Sequence, residues 1–141
     1  MILTVEQFYR SMKGLSLAKA QEFLPYFNAA IAEFGIATPL RIAHFIGQLS
    51  HESCDLKYFA ELWGRVPSEA QASYKRRMGN TRPEAIEAAR KAGFSDVGKF
   101  YKGHGCLQTT GHDNHKRVGD ALGIDAVNYP ELLEKPEFAF R

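Results

Sequence analysis

Apolar residues recur along this chain at three- and four-residue intervals, the repeat of helices that bury one face. Thr4 with Gln7 forms a capping box, and Phe8, Tyr9 and Met12 follow on one face. Leu17, Ala20, Phe23 and Leu24 make a second stripe. Pro25 is expected to interrupt it, because proline has no amide to donate inside a helix. The stripe resumes at Phe27, Ile31 and Phe34, and Gly35 supplies a stop. Thr38-Pro39 joins a capping hydroxyl to a proline at the first helical position. Beyond it Leu40, Ala43 and Gly47 share one stripe, with Ile42, Phe45, Ile46 and Leu49 beside them. A helix apolar over so much of its circumference is expected to be central. His51 and Glu52 fall at or near its end.

Ser68 with Gln71 is a second capping box, opening a polar helix toward Met78 that Gly79-Asn80 ends. Pro83 opens a short helix through Ala92, closed by Gly93. Residues 99–111 break the helical pattern, and their glycines and threonines predict a loop with a short strand or hairpin. A further helix runs from about Asp113 to Leu122 and stops at Gly123. Pro130 and Pro136 each start another helical piece. The pattern predicts a mainly α fold with a minor β-hairpin.

Composition narrows the partners. A chain of 141 residues, 45% hydrophobic and 24% charged, reads as one globular domain. Its net charge of +2 is too mild to argue for nucleic acid, and is compatible with an anionic target such as a bacterial cell wall. Two cysteines, Cys54 and Cys106, are too few for a disulfide framework and read as reduced and partly buried. No run of 18 apolar residues predicts a membrane span. The first residues lack the unbroken apolar stretch of a secretory signal, so a cytoplasmic site of synthesis and folding is expected.

Three places carry candidate chemistry. Glu52, at the end of an apolar helix, is placed where desolvation favours the neutral acid that protonates a leaving group. Glu61 lies nine residues on, and two carboxylates flanking a cleft are what glycoside hydrolysis needs. Around Gln108, Thr109 and Thr110, amide and hydroxyl groups are placed to hold water or sugar hydroxyls, with Gly103, Gly105 and Gly111 permitting close approach. His104, Cys106, His112 and His115 invite a zinc reading, but their spacing matches no standard zinc arrangement. Nothing local marks either cysteine as an activated nucleophile. No metal or other cofactor is expected.

Taken together, these segments resemble glycoside hydrolase family 19. Ala43-His-Phe-Ile-Gly-Gln-Leu-Ser-His-Glu-Ser53 is similar to the family's catalytic helix. Glu61-Leu-Trp-Gly64 follows, then Pro67 and Gly79-Asn80-Thr81, then Tyr101-Lys-Gly-His-Gly-Cys-Leu-Gln-Thr-Thr-Gly-His-Asp-Asn114. Gly119 to Asp125, Asn128-Tyr-Pro-Glu-Leu132 and Pro136-Glu137 match downstream signals, so the ordered resemblance spans roughly residues 20–141. It implies a lysozyme-like fold with a catalytic cleft between helical lobes. It also implies inversion, with Glu52 as general acid and Glu61 as general base. Gln108 and Thr110 fall on positions that bind sugar and place the nucleophilic water, and Asn114 on a substrate-contacting asparagine. His104 stands where the family has a cleft arginine and implies a pH-dependent cation there. His115 replaces a tyrosine, and Glu84–Gly98 replaces a short loop, as a lid over the cleft or a decoration.

The resemblance is strongest to phage endolysins. The expected activity is therefore an N-acetylmuramidase-type glycosidase that lyses bacterial walls, held in the host cytoplasm before release. A chitinase on the same residues is the alternative, and a catalytically inactive sugar-binding or inhibitory relative a third. The expected partner is peptidoglycan or a chitin-like polysaccharide. Relatives continue beyond the Pro136 helix, so residues 1–141 are expected to be a single domain without the family's C-terminal helices. That would leave a face for homo-oligomer contact.

Overall fold

The computed structural model describes residues 2–141. It is mainly helical: α1 (Val5–Ser11), α2 (Leu17–Glu33), α3 (Pro39–Ser53), α4 (Glu69–Tyr74), α5 (Pro83–Lys91), α6 (Val97–Phe100), α7 (His112–Leu122), a 3-10 turn (Pro130–Glu134) and α8 (Pro136–Ala139). Helix starts are set locally. Thr4, Ser16, Thr38 and Ser68 each accept a backbone amide from the first turn, and Thr4 and Ser68 complete capping boxes with Gln7 and Gln71. No helix among the described residues is long and apolar enough to cross a membrane.

Two apolar clusters divide the chain. The larger joins α1, α2 and α3 to Leu56, Cys106 and Phe140. Phe27 is its hub, with ring centroids 4.8 Å from Phe8, 5.7 Å from Phe45 and 6.3 Å from Phe140. The smaller cluster is Ala85, Ala88 and Ala89 of α5 against Phe100 and Tyr101. The Glu84–Gly98 segment therefore gives α5 and the turn that leads into α6, and builds a core of its own there.

Five expectations change. Pro25 does not break α2, which runs unbroken from Leu17 to Glu33. Proline inside a helix costs about 3 kcal/mol. Burying Phe27 and Ile31 on the far side of it returns roughly 3–6 kcal/mol. Tyr9 points to solvent while Phe8 and Met12 are buried. Helix α3 buries only Ile42, Ile46, Leu49 and Ser53, and Leu40 is 68% exposed. It is a one-faced helix on the larger cluster, because no described element packs on the Leu40 side. Helix α4 ends at Tyr74, short of Met78, and α6 takes Lys99 and Phe100 into a helical turn.

Strand pairing is minimal. Two antiparallel bridges, Ala60 with His104 and His104 with Thr109, make the hairpin that the glycines of 99–111 predict. The Phe59 carbonyl accepts from the Gly105 amide at 2.8 Å, and the Gly103 carbonyl from the Glu61 amide at 2.7 Å. The stretch 59–61 is thereby pinned to the edge of the hairpin.

Candidate active site

Glu52 sits in the last turn of α3, half-buried, and accepts from Gln48 Nε2 one turn earlier at 2.8 Å. The chain then reverses sharply. Cys54, Asp55 and Leu56 are all left-handed, with φ of 52°, 58° and 60°. Each such residue costs about 1–2 kcal/mol. The surroundings hold the turn: Ser53 Oγ accepts the Leu56 amide at 2.8 Å, and Asp55 bonds Ser50 Oγ and the Gly14 amide. This reversal carries the chain from Glu52 to the β-paired stretch that bears Glu61.

Glu61 is held from three sides. Its Oε1 accepts from Gln71 Nε2 at 3.0 Å and from the Tyr74 hydroxyl at 3.4 Å, and its Oε2 accepts from the Gly103 amide at 3.0 Å. An ionised carboxylate offers about four lone-pair sites. Three are taken, and the remaining one lies on Oε2. A carboxylate fixed in this way can accept one proton from a water without changing its own position. Tyr74 feels the arrangement: burial first, then the Glu61 charge and hydrogen bond, raise its phenol above the usual value.

The hairpin brings the sugar-site candidates beside Glu61. Gly103 is packed so closely under the Gln108 side chain that a Cβ there would lie 2.5 Å from Gln108 Oε1. Gln108 is itself left-handed, with φ 56°, and its Nε2 donates to the Gly105 carbonyl at 3.0 Å. Thr110 Oγ1 donates to the Gln108 carbonyl and Asn114 Nδ2 to the Thr110 carbonyl, each at 2.9 Å. Glu61, Gln108, Thr110 and Asn114 thus belong to one contiguous set. Glu52 shares no hydrogen bond with it among the described residues.

His104 and His115 stand apart from this set. The sequence places His104 as a cation in the cleft, but it is only 4% exposed and His115 is fully buried. His115 Nδ1 lies 2.8 Å from the Gly111 carbonyl, which can only accept. His115 Nδ1 therefore carries the hydrogen and Nε2 is an acceptor. His104 Nδ1, 3.0 Å from that Nε2, donates to it. Burial, then the other imidazole and Lys102, hold His104 down to about 3. Burial foremost holds His115 down to about 4, with the Gly111 bond opposing. Both rings are neutral packing groups behind the hairpin. Cys106 is buried too, and burial pushes its thiol up, away from nucleophilic chemistry. The described residues hold no cluster of three or more metal-ligating side chains.

Sequence reasoning passed over four groups. Gln71 and Tyr74 reach Glu61 from α4, and the Gly103 amide reaches it from the hairpin. Asn80, fully buried, joins α4 to α7 by donating to the Tyr74 carbonyl at 2.9 Å and accepting the His112 amide at 2.8 Å. Gln71 was visible only as half of a capping box. A recess of about 610 Å³ between Glu84, Lys116 and Val127 includes neither Glu52 nor Glu61, nor Gln108, Thr110 or Asn114. Its Lys116 is already paired with Asp120 and its Asp125 with Asn128.

No family model matches the sequence, and no curated protein does. Solved structures match the fold. A glutamate-to-glutamine mutant of chitinase C has a TM-score of 0.67 at 23% identity, covering 97% of this chain and 51% of that one. Chitinase C from Streptomyces griseus HUT6037 has a TM-score of 0.63 at 23% identity, covering 96% of this chain and 59% of that one. A bacterial family 19 chitinase that differs from plant enzymes has a TM-score of 0.60 at 23% identity, covering 96% of this chain and 60% of that one. The chain spans about half to three-fifths of the length of these proteins. At this identity the likeness is one of fold, and the fold of this chain is the mainly helical, lysozyme-like fold of the family 19 chitinases.

Proposed function

We propose that this chain is an inverting glycosidase acting on glycans with β-1,4-linked N-acetylglucosamine, with Glu52 as general acid and Glu61 as general base. The observation that carries this reading is the Glu61 carboxylate, fixed by three donors with one lone pair free on Oε2. Gln108 packs on the Gly103 that donates to Glu61, and Thr110 and Asn114 continue the same hydrogen-bonded run; these are the groups we assign to sugar and water. Inversion requires carboxyl groups about 6.5–9.5 Å apart, with the water on the face opposite the leaving group.

Peptidoglycan is the substrate we favour, as in a phage endolysin. Arg65, Lys75, Arg76 and Arg77 are exposed and form no ion pair among the described residues. Arg77 lies over the Tyr74 ring, 5.9 Å from its centroid, and Tyr74 bonds Glu61. An unpaired cation on the ring that bonds the base, with further exposed cations on the same stretch of chain, favours a glycan that carries carboxylates, as peptidoglycan does through its lactyl and peptide groups, over neutral chitin. Chitin is the second reading, favoured by the names of the structural neighbours.

The test pairs two substrates with one substitution. Turbidity loss of outer-membrane-permeabilised Gram-negative cells is measured beside oligomer release from soluble chitin. Glu52→Gln keeps shape and removes the transferable proton, so turnover should fall about 10²–10⁴-fold. The initial product anomer should be inverted. Unchanged turnover in Glu52→Gln refutes the mechanism. Chitin cleavage without wall lysis selects the second reading, and saccharide binding without turnover selects an inactive relative.

A further inference from the structure

We propose that Gln71 is the positioning residue of Glu61, and that the capping box at the start of α4 exists in this form to aim its amide at that carboxylate. The assignment rests on Glu61 being the general base. It starts from a count of what a capping box needs. The box asks only for a side-chain acceptor at the third helical position, to take the N-cap amide. Glutamate serves there as well as glutamine, and its charge suits the positive end of a helix.

Two boxes in this chain use glutamine, and they use it differently. In α1, Gln7 Oε1 accepts the Thr4 amide at 2.9 Å, and its amide nitrogen makes no hydrogen bond among the described residues. In α4, Gln71 Oε1 accepts the Ser68 amide at 3.0 Å in the same way. Its two N–H groups then donate to Glu61 Oε1 at 3.0 Å and to the Leu62 carbonyl at 2.9 Å. The Gln71 amide thus spends both its hydrogens on the Glu61–Leu62 stretch while its oxygen closes the box. The bond to Leu62 fixes the backbone and the bond to Oε1 fixes the side-chain rotation. Together they leave Oε2 to the Gly103 amide and to one further donor.

The framework behind Gln71 is rigid enough for this task. Asn80 ties the end of α4 to the start of α7 through buried bonds. Helix α4 also packs on α6, where a Cβ on Gly98 would come within 2.9 Å of the Lys75 amide nitrogen. A glutamate at position 71 would keep the box and set a second carboxylate against Oε1. Two carboxylates at such a distance do not both stay ionised, and a shared proton takes Glu61 out of service as a base.

The experiment uses the full chain and three variants, Gln71→Glu, Gln7→Glu and Gln71→Met. The Glu61 carboxyl is followed by carbon-13 NMR across pH, beside the pH profile of turnover on permeabilised cells. Gln71→Glu should move the Glu61 titration up by about one pH unit or more. The acid limb of kcat/KM should move with it. Gln7→Glu changes the same motif at a helix that shares no hydrogen bond with Glu61 among the described residues, and should leave both curves where they are. Gln71→Met removes the donors without adding charge. It should move the titration in the same direction by less, which keeps the test alive if the glutamate variant does not fold.

A Glu61 titration unmoved in both Gln71 variants overturns the proposal, as does an equal movement in Gln7→Glu. If the titration moves and the wild-type chain cleaves neither glycan, Gln71 still positions Glu61 and the glycosidase reading is the part that fails.

Discussion

Lowering the pH should unfold this protein through two buried imidazoles that the candidate mechanism does not use. His104 and His115 are neutral in the fold, held down to about 3 and about 4 by burial, from an ordinary 6.5. Unfolding exposes both rings, which then take up protons below their ordinary value. Their contribution is therefore fully present above about pH 6.5 and lost as pH falls through the range down to their folded values. Between about pH 7.5 and pH 5 each ring that stays neutral only in the fold costs about 2 kcal/mol, and the two together about 4 kcal/mol. That is a large part of a typical total of 5–15 kcal/mol.

One neighbour works the other way. Glu134 Oε1 lies 3.5 Å from His104 Nε2, and burial, opposed by Lys102, raises its carboxyl above the ordinary value. A raised carboxyl stabilises the fold as pH falls, so Glu134 offsets the loss at the acid end of the range. Asp113, held low by Arg82 and His112, acts only below the ordinary carboxylate range. Melting followed by circular dichroism should show a midpoint about 10 °C lower at pH 5 than at pH 7.5. Nitrogen-15 NMR at pH 5.5 should find both rings neutral with hydrogen on Nδ1. A ring titrating near 6.5, or a midpoint unchanged between the two pH values, refutes the account.

Two further outcomes are expected. Replacing Glu61 by Gln removes the charge that adds to burial in raising Tyr74, so the phenol should titrate lower in Glu61→Gln than in the wild type, read by ultraviolet difference absorbance. Burial keeps it above the ordinary value, and a Tyr74 curve that does not move refutes the contact. Phe27→Ala empties the hub of the larger cluster, where Phe27 is fully buried among three rings, and should cost about 3–5 kcal/mol in urea unfolding. A loss under about 1 kcal/mol places the core elsewhere.

The helix starts were legible because their chemistry is local. Thr4, Thr38 and Ser68 bond amides three residues away, and Pro39 and Pro83 sit where a missing donor costs nothing. Stops at Gly35, Gly93 and Gly123 follow from their positive φ. Periodicity could not say which side of α3 is covered. Leu40 and Ile42 are equally apolar in sequence, and only the position of α1 and α2 decides that Ile42 is buried. Pro25 shows the same limit from the other direction. The expected interruption does not occur, because burial on both sides of Pro25, invisible locally, outweighs a local penalty of about 3 kcal/mol.

The site divides along the same line. Glu61 and Gln108 stood out because their residue types carry chemistry at any position. Gln71 did not, because the capping box already gave it a complete local role. A residue whose local role is satisfied draws no further question from sequence, although an amide has more bonding capacity than the box consumes. The surplus is the useful signal. Gln71 has two hydrogens beyond its capping oxygen, and Asn80 has both ends of a buried amide, which cannot stay unpaired without cost. Counting donors and acceptors left over by local motifs therefore points to the side chains that tie separate elements together. At Glu61 those side chains decide which lone pair of the carboxylate is free.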